Sequence, residues 1–124
     1  MVLLDSNIII DLWKNPSEAV KYLLKTDEVC ICGVVRSELM HGAYSEKNLA
    51  EISAKLDLLE ELNLEENQWD GLGRLLYKLR INGVTLPFAD AMIAYIALIN
   101  EVGLLTNDKH FLYIKRIIPE LKLI

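Results

Sequence analysis

The order of apolar runs along the chain predicts an α/β domain, a parallel sheet with helices on both faces. Short, unalternating apolar runs at Val2 to Leu4, Val29 to Cys32 and Leu104 to Thr106 have the pattern of strands buried on both faces. Between them lie longer segments with apolar residues at steps of three and four, and this alternation of strand and helix is the grammar of a parallel sheet. Two acids, Asp5 and Asp108, follow the first and last of these runs. Parallel strands align their carboxyl ends, so both acids are expected at one edge, where open α/β sheets bind ligands.

In chain order, Ser6 and Asn7 supply a turn and a helix cap after Asp5, and Ile8, Ile9, Ile10, Leu12 and Trp13 continue as a buried helical turn. Asn15 and Pro16 offer a cap and a first position for a short helix over Ser17 to Lys25, with Ala19, Val20, Leu23 and Leu24 on its apolar side. The strand Val29 to Cys32 breaks at Gly33. VVRSELMHG then reads as a helix with Glu38 among Val34, Val35, Leu39 and Met40, closed by Gly42. Ser45 caps a longer helix whose stripe of Leu49, Ile52, Leu56 and Leu59 is core or a helical interface.

A short edge strand is expected within Leu62 to Glu66. Asn67 to Asn82 is an amphipathic helix interrupted by Gly71 and Gly73, ended by Gly83, and turning Leu72, Leu75, Leu76 and Leu79 inward. Pro87 starts a helix that is apolar almost all round and therefore central, with Gly103 as its terminator. Leu104 to Thr106 is the next buried strand, and Leu121 to Ile124 a last short one.

A chain of 124 residues is long enough for one real core and leaves little room for a second, so residues 1–124 are read as a single domain. The hydrophobic fraction of 52% and mean hydropathy of +0.25 are high for a small monomer and point to apolar surface covered by a second copy or another protein. A net charge of -5 argues against strong non-specific attachment to nucleic acid, while leaving room for a local site where metal ions neutralise carboxylates. The N-terminus lacks the basic flank of a signal peptide, and Phe88 to Ile99 is too short for a membrane span, so a cytoplasmic protein with no membrane partner is expected. Cys30 and Cys32 share one face of a strand, as core thiols do, with no second Cys or His pair at zinc spacing.

Asp90 is the only charge between Leu86 and Ile99. With Pro87 at the first helical position, Leu86 is the cap, and Asp90 falls one place beyond where a capping-box acid reaches back. Each acid has a plain alternative: Asp5 as a cap of the following helix, Asp90 as a charge on a helix dipole, Glu38 as a partner of Arg36 or His41. Together, Asp5, Glu38, Asp90 and Asp108 make four acids, each beside apolar sequence and each placeable at one sheet edge. Their mutual repulsion is relieved by a cation, and hard oxygen ligands suit Mg²⁺ or Mn²⁺ rather than zinc. Such sites perform phosphoryl chemistry, so metal-dependent phosphate or phosphodiester hydrolysis is the reading of the residues alone.

DSNIII at the N-terminus, VRSELMHG around Glu38, PFADAMIAYIAL around Asp90 and LLTNDKHF around Asp108 resemble the successive motifs of PIN-domain ribonucleases, in particular the VapC-type toxins of toxin–antitoxin pairs. The resemblance spans almost the whole chain, in order. It implies a three-layer, PIN-like fold with a parallel sheet of four or five strands, Mg²⁺- or Mn²⁺-dependent endoribonuclease activity, homodimerisation, and a small antitoxin that inserts near the active site. Position by position, it assigns metal binding and catalysis to Asp5, Glu38, Asp90 and Asp108, and supporting polar roles to Asn7 and Thr106.

One departure is His110, where many relatives carry another acid. It is read as an unspecialised polar residue, with contact to the scissile phosphate or leaving oxygen as the alternative. Lys14, Arg36, Lys47, Lys109 and Arg116 are candidates for RNA phosphates. Two competitors remain: a catalytically silent domain that binds RNA or protein on the same scaffold, and a haloacid-dehalogenase-type phosphatase, against which Asn7 stands where a second Asp is required.

Overall fold

The computed structural model describes residues 1–15, 17, 18, 21, 22, 25 and 28–124. Its sheet contains β1 (Val2–Leu4), β2 (Val29–Cys32), β3 (Glu60–Leu62) and β4 (Gly103–Leu105), ordered β3-β2-β1-β4 with every pairing parallel. Parallel neighbours need crossover connections, and helices supply them. α1 (Ser6–Lys14) follows β1, α2 (Gly33–His41) and α3 (Glu46–Leu56) follow β2, α4 (Trp69–Ile81) and α5 (Phe88–Ile99) join β3 to β4, and α6 (His110–Ile117) follows β4. The expected three-layer parallel α/β architecture is the one observed. The short helix expected over Ser17 to Lys25 rests on Ala19, Val20, Leu23 and Leu24, which lie outside the described residues.

The two inner strands, β1 and β2, are buried along almost their whole length, which is why neither alternates. Register sets Val2 opposite both Val29 and Gly103, and Leu4 opposite Leu105, so the ends of β1 and β4 are level. Helix α5 is the central helix: Ala91, Ile93, Ala94, Ile96 and Ala97 are all buried, and it packs on α2, α4, α6 and β4. Its two buried isoleucines each contribute roughly 2 kcal/mol by leaving water. Burial pushes the thiols of Cys30 and Cys32 up to about 11, so both are protonated core side chains.

Several boundaries differ from expectation for identifiable reasons. The edge strand is Glu60–Leu62, not a segment within Leu62 to Glu66. Glu60 and Glu61 carry no strand signal; pairing with Cys30 and Ile31 decides the matter, and Glu61 is held by Arg36, whose Nε donates to its carboxylate at 2.6 Å. Gly33 heads α2 instead of merely breaking β2, because its N–H donates to Asn63 Oδ1 at 2.8 Å and a Cβ there would meet that same oxygen at 2.7 Å.

Gly71 and Gly73 do not interrupt α4, which is preceded by a single 3₁₀ turn at Glu66–Gln68. Gly71 is where α4 passes over Tyr95 of α5, leaving no room for a Cβ. Gly83, with φ +80°, ends that helix in the left-handed conformation as expected. Gly103 is the first residue of β4 rather than a helix terminator, and a Cβ there would meet Ile124. The expected last strand is reduced to one parallel bridge, Leu123 to Leu104.

Candidate functional site

The site begins where β1 stops. Leu4 is the last strand residue, and the Asp5 N–H donates to the Leu105 carbonyl at 3.0 Å, tying the ends of β1 and β4 together. Asp5 is itself the cap of α1: its Oδ1 accepts from the Ser6 N–H at 2.8 Å. Ser6 and Asn7, expected as turn and cap, are thus the first helical residues. The carboxylate has a second engagement, because Oδ2 accepts from Thr106 Oγ1 at 2.6 Å. Asp5 is only 5% exposed, the one buried charged residue among those described. Burial of a carboxylate is tolerable only with such bonds in place, so capping and site placement are two uses of one group.

Thr106 joins two acids. While its hydroxyl donates to Asp5, the same oxygen accepts from the Asp108 N–H at 3.0 Å. Asp108 Oδ1 then accepts from the backbone N–H of His110 at 2.9 Å, which starts α6. The His110 ring turns back toward the acids, with Nδ1 3.0 Å from Asp90 Oδ2 and 3.4 Å from Asp108 Oδ1.

Asp90 occupies the third position of α5, since Pro87 rather than Leu86 is the cap. That is the capping-box position, contrary to the sequence count. No box can form, because proline has no N–H to return, and the carboxylate is left to face His110. Burial raises the Asp90 pKa, His110 pulls it back, and the charges of Asp108 and Asp5 raise it further. Glu38, on α2, is also raised, first by burial and then by Asp5 and Asp90. The His110 pKa is raised, chiefly by its hydrogen bond to Asp90 and by the Asp108 charge.

Of the four predicted acids, Asp90 and Asp108 are the two that fall into one close group. With His110 they form a group whose ligand atoms all lie within 4.8 Å of one another. Asp5 is coupled to this group through Thr106, and Glu38 through its charge, while neither belongs to the close set. Asn7 is exposed in the first turn of α1. Asp11, further along α1, is exposed and accepts from Asn107 Nδ2 at 3.3 Å. Arg36 is engaged with Glu61 and Asp57, which takes it off the set of free phosphate contacts, whereas Lys14, Lys47, Lys109 and Arg116 are exposed.

His110 was undervalued by the sequence. The signal was present in its spacing two residues beyond Asp108, but the direction of its ring depends on where α6 starts. The donor set is mostly carboxylate oxygen, Asp90 within it and Glu38 nearby are raised first by burial and further by neighbouring carboxylates, and a divalent cation answers both conditions. The residues therefore fit an ion such as Mg²⁺ or Mn²⁺.

Fold and site together define a parallel α/β domain with an acidic cluster at the carboxyl ends of β1 and β4. The PIN domain family model matches residues 2–117, and the chain belongs to that family. No curated protein matches it. Among solved structures it is similar to a chain of VapBC-1 from nontypeable Haemophilus influenzae, with 25% identity and a TM-score of 0.82 over 100% of this chain and 97% of that one. It is likewise similar to a chain of DNA-bound VapBC from Salmonella typhimurium, with 26% identity and a TM-score of 0.81 over 99% and 96% of the two chains. A third is VapBC2 from Rickettsia felis, bound to a DNA fragment from their promoter, at 26% identity, TM-score 0.80, and 100% and 98% coverage.

Proposed function

We propose that this chain is a metal-dependent endoribonuclease, the toxin of a toxin–antitoxin pair, and that it hydrolyses RNA phosphodiester bonds at the Asp5, Glu38, Asp90 and Asp108 edge. The observation that carries the reading is the hydrogen-bonded path from Asp5 through Thr106 to Asp108, with Asp90 beyond it on His110. It joins acids that lie 103 residues apart in the case of Asp5 and Asp108. Membership of the PIN family and likeness to VapBC chains support the same activity and the same kind of partner.

Asp90, Asp108 and Asp5, with Glu38 nearby, are the residues that would hold Mg²⁺ or Mn²⁺. When bound, such an ion supplies positive charge beside the scissile phosphate and acidifies water there. The protein's own contribution is positional. Asp5 is fixed by Ser6 and Thr106 and cannot swing, Asp108 is fixed by the Thr106 hydroxyl and the His110 N–H, and Asp90 is braced by the His110 ring. Attack in line with the leaving 3′ oxygen leaves a 5′ phosphate and a 3′ hydroxyl. Asn7, exposed two residues after Asp5, is assigned to orienting a carboxylate or water.

A groove between α1, α2 and α3, walled by Trp13, Leu39, Tyr44 and Ile52, runs up to Glu38 and suits an inserted antitoxin segment. Exposed Phe88, Tyr77, Ile81, Leu112 and Tyr113 supply apolar surface for a homodimer. Among the described residues no helix is long and apolar enough to cross a membrane, in keeping with action in the cytoplasm.

The test is cleavage of total cellular RNA by purified protein with Mg²⁺ or Mn²⁺, beside EDTA and Asp5→Asn controls, with fragments mapped at both ends. Discrete metal-dependent cuts with 5′ phosphates, absent in a folded Asp5→Asn protein, are expected. Equal behaviour of protein and variant would move the chain to a binding role.

A further inference from the structure

His110 stands in the close group with Asp90 and Asp108, and its geometry goes beyond a hydrogen-bond brace. The Nδ1 atom lies 3.0 Å from Asp90 Oδ2 and 3.4 Å from Asp108 Oδ1. Two donors set at right angles about an ion, each about 2.1 Å from it, stand about 3.0 Å apart. The nitrogen is thus spaced from each oxygen as neighbouring ligands of one ion are, and the three residues offer ligand atoms within 4.8 Å of one another. The ring is also pre-aimed: His110 is the first residue of α6, and its N–H is already held by Asp108 Oδ1 at 2.9 Å. With the ring 47% exposed, its proton has a route to solvent.

We propose that His110 is a nitrogen ligand of the catalytic metal, making the site a mixed nitrogen and oxygen site that favours first-row transition ions over Mg²⁺. In that role the ring is neutral with its proton on Nε2, and the Nδ1 lone pair is the donor toward the ion. Mg²⁺ is a hard ion that keeps oxygen ligands, whereas imidazole nitrogen strengthens binding along the transition series, so one such donor separates the two. The inference rests on the metal-dependent reading above and adds to it the identity of the preferred ion.

The direct readout is the electron spin echo of bound Mn²⁺, which registers the ¹⁴N nucleus of a coordinated imidazole, together with calorimetric affinities for Mn²⁺ and Mg²⁺. The probes are the two ions alone on the full chain. A ¹⁴N coupling is expected in the wild type and not in His110→Asn, where the amide keeps a hydrogen-bond donor near Asp90 but offers no imidazole. The ratio of Mn²⁺ to Mg²⁺ affinity is expected to fall about tenfold in His110→Asn and in His110→Asp, the latter by gaining Mg²⁺.

A wild-type Mn²⁺ signal that Asp90→Asn abolishes but that carries no ¹⁴N coupling would overturn the His110 assignment alone, leaving the ring as a brace for Asp90. Failure of the wild type to bind Mn²⁺, or binding indifferent to both Asp5→Asn and Asp90→Asn, would overturn the metal reading and this assignment with it. His110→Asp, which keeps the helix start, serves if His110→Asn proves unfolded by circular dichroism.

Discussion

Replacing Thr106 by valine removes one oxygen and almost no volume, and it cuts both bonds that join Asp5 to Asp108. In the metal-free protein the Asp5 Oδ2 atom, in a residue only 5% exposed, loses the 2.6 Å donor, and the Asp108 N–H loses its acceptor. A hydrogen bond to a charged group contributes about 2 kcal/mol and an ordinary one about 1 kcal/mol, so Thr106→Val is expected to destabilise by about 3 kcal/mol. For a domain of this size that lowers the melting temperature by roughly 10–15 °C. The assay is thermal unfolding in EDTA, with Thr106→Ser as the control that keeps the hydroxyl and stays within a few degrees of the wild type. Saturating Mn²⁺ should narrow the Thr106→Val deficit, since an ion on Asp5 replaces the missing donor. A Thr106→Val protein that melts with the wild type in EDTA would refute the claim that this hydroxyl holds the buried carboxylate.

Two further outcomes follow from the same structure. Gly71→Ala inserts a methyl group where α4 meets Tyr95, 2.7 Å from its Cζ atom, and should lower stability by about 1–3 kcal/mol in urea unfolding, whereas Gly73→Ala, with open space around it, should be neutral or stabilising. The metal-free protein should lose stability as pH rises from the ordinary carboxylate range toward neutrality. Glu38 and Asp90, raised first by burial, bind protons more tightly folded than unfolded, and His110, raised first by Asp90, contributes stability that is lost as pH passes its folded pKa. Glu61, lowered by Arg36, acts the other way and is lost only as pH falls. Urea midpoints in EDTA measure the balance; Mn²⁺ competes with protons and should reverse the slope, and a flat EDTA profile would contradict the repulsion among the acids.

The close packing of the inner strands made much of this legible in sequence. Val2 to Leu4 and Val29 to Cys32 could be read because a strand buried on both faces has no polar positions to spare. Asp90 stood out because α5 is buried around most of its circumference and tolerates a charge only for cause. By contrast β3 was misplaced by two residues, since Glu60 and Glu61 pair as strand only because Cys30 and Ile31 offer a free edge and Arg36 neutralises Glu61. Pro87 was placed at the first helical position of α5 although it is the cap, and the error mattered: it moved Asp90 one place past the capping-box position that it occupies.

By itself the sequence determined the alternation of strand and helix, the acids that terminate β1 and β4, and the motif order of a PIN domain, because each depends on neighbours along the chain. Tertiary structure alone decided that Thr106 bonds to Asp5 across 101 residues, that Gly71 is there for Tyr95, and that the His110 ring faces Asp90. Those relations depend on register between β1 and β4 and on the packing of α4 against α5. Distances of a few ångströms between residues remote in sequence are fixed only when the sheet has closed.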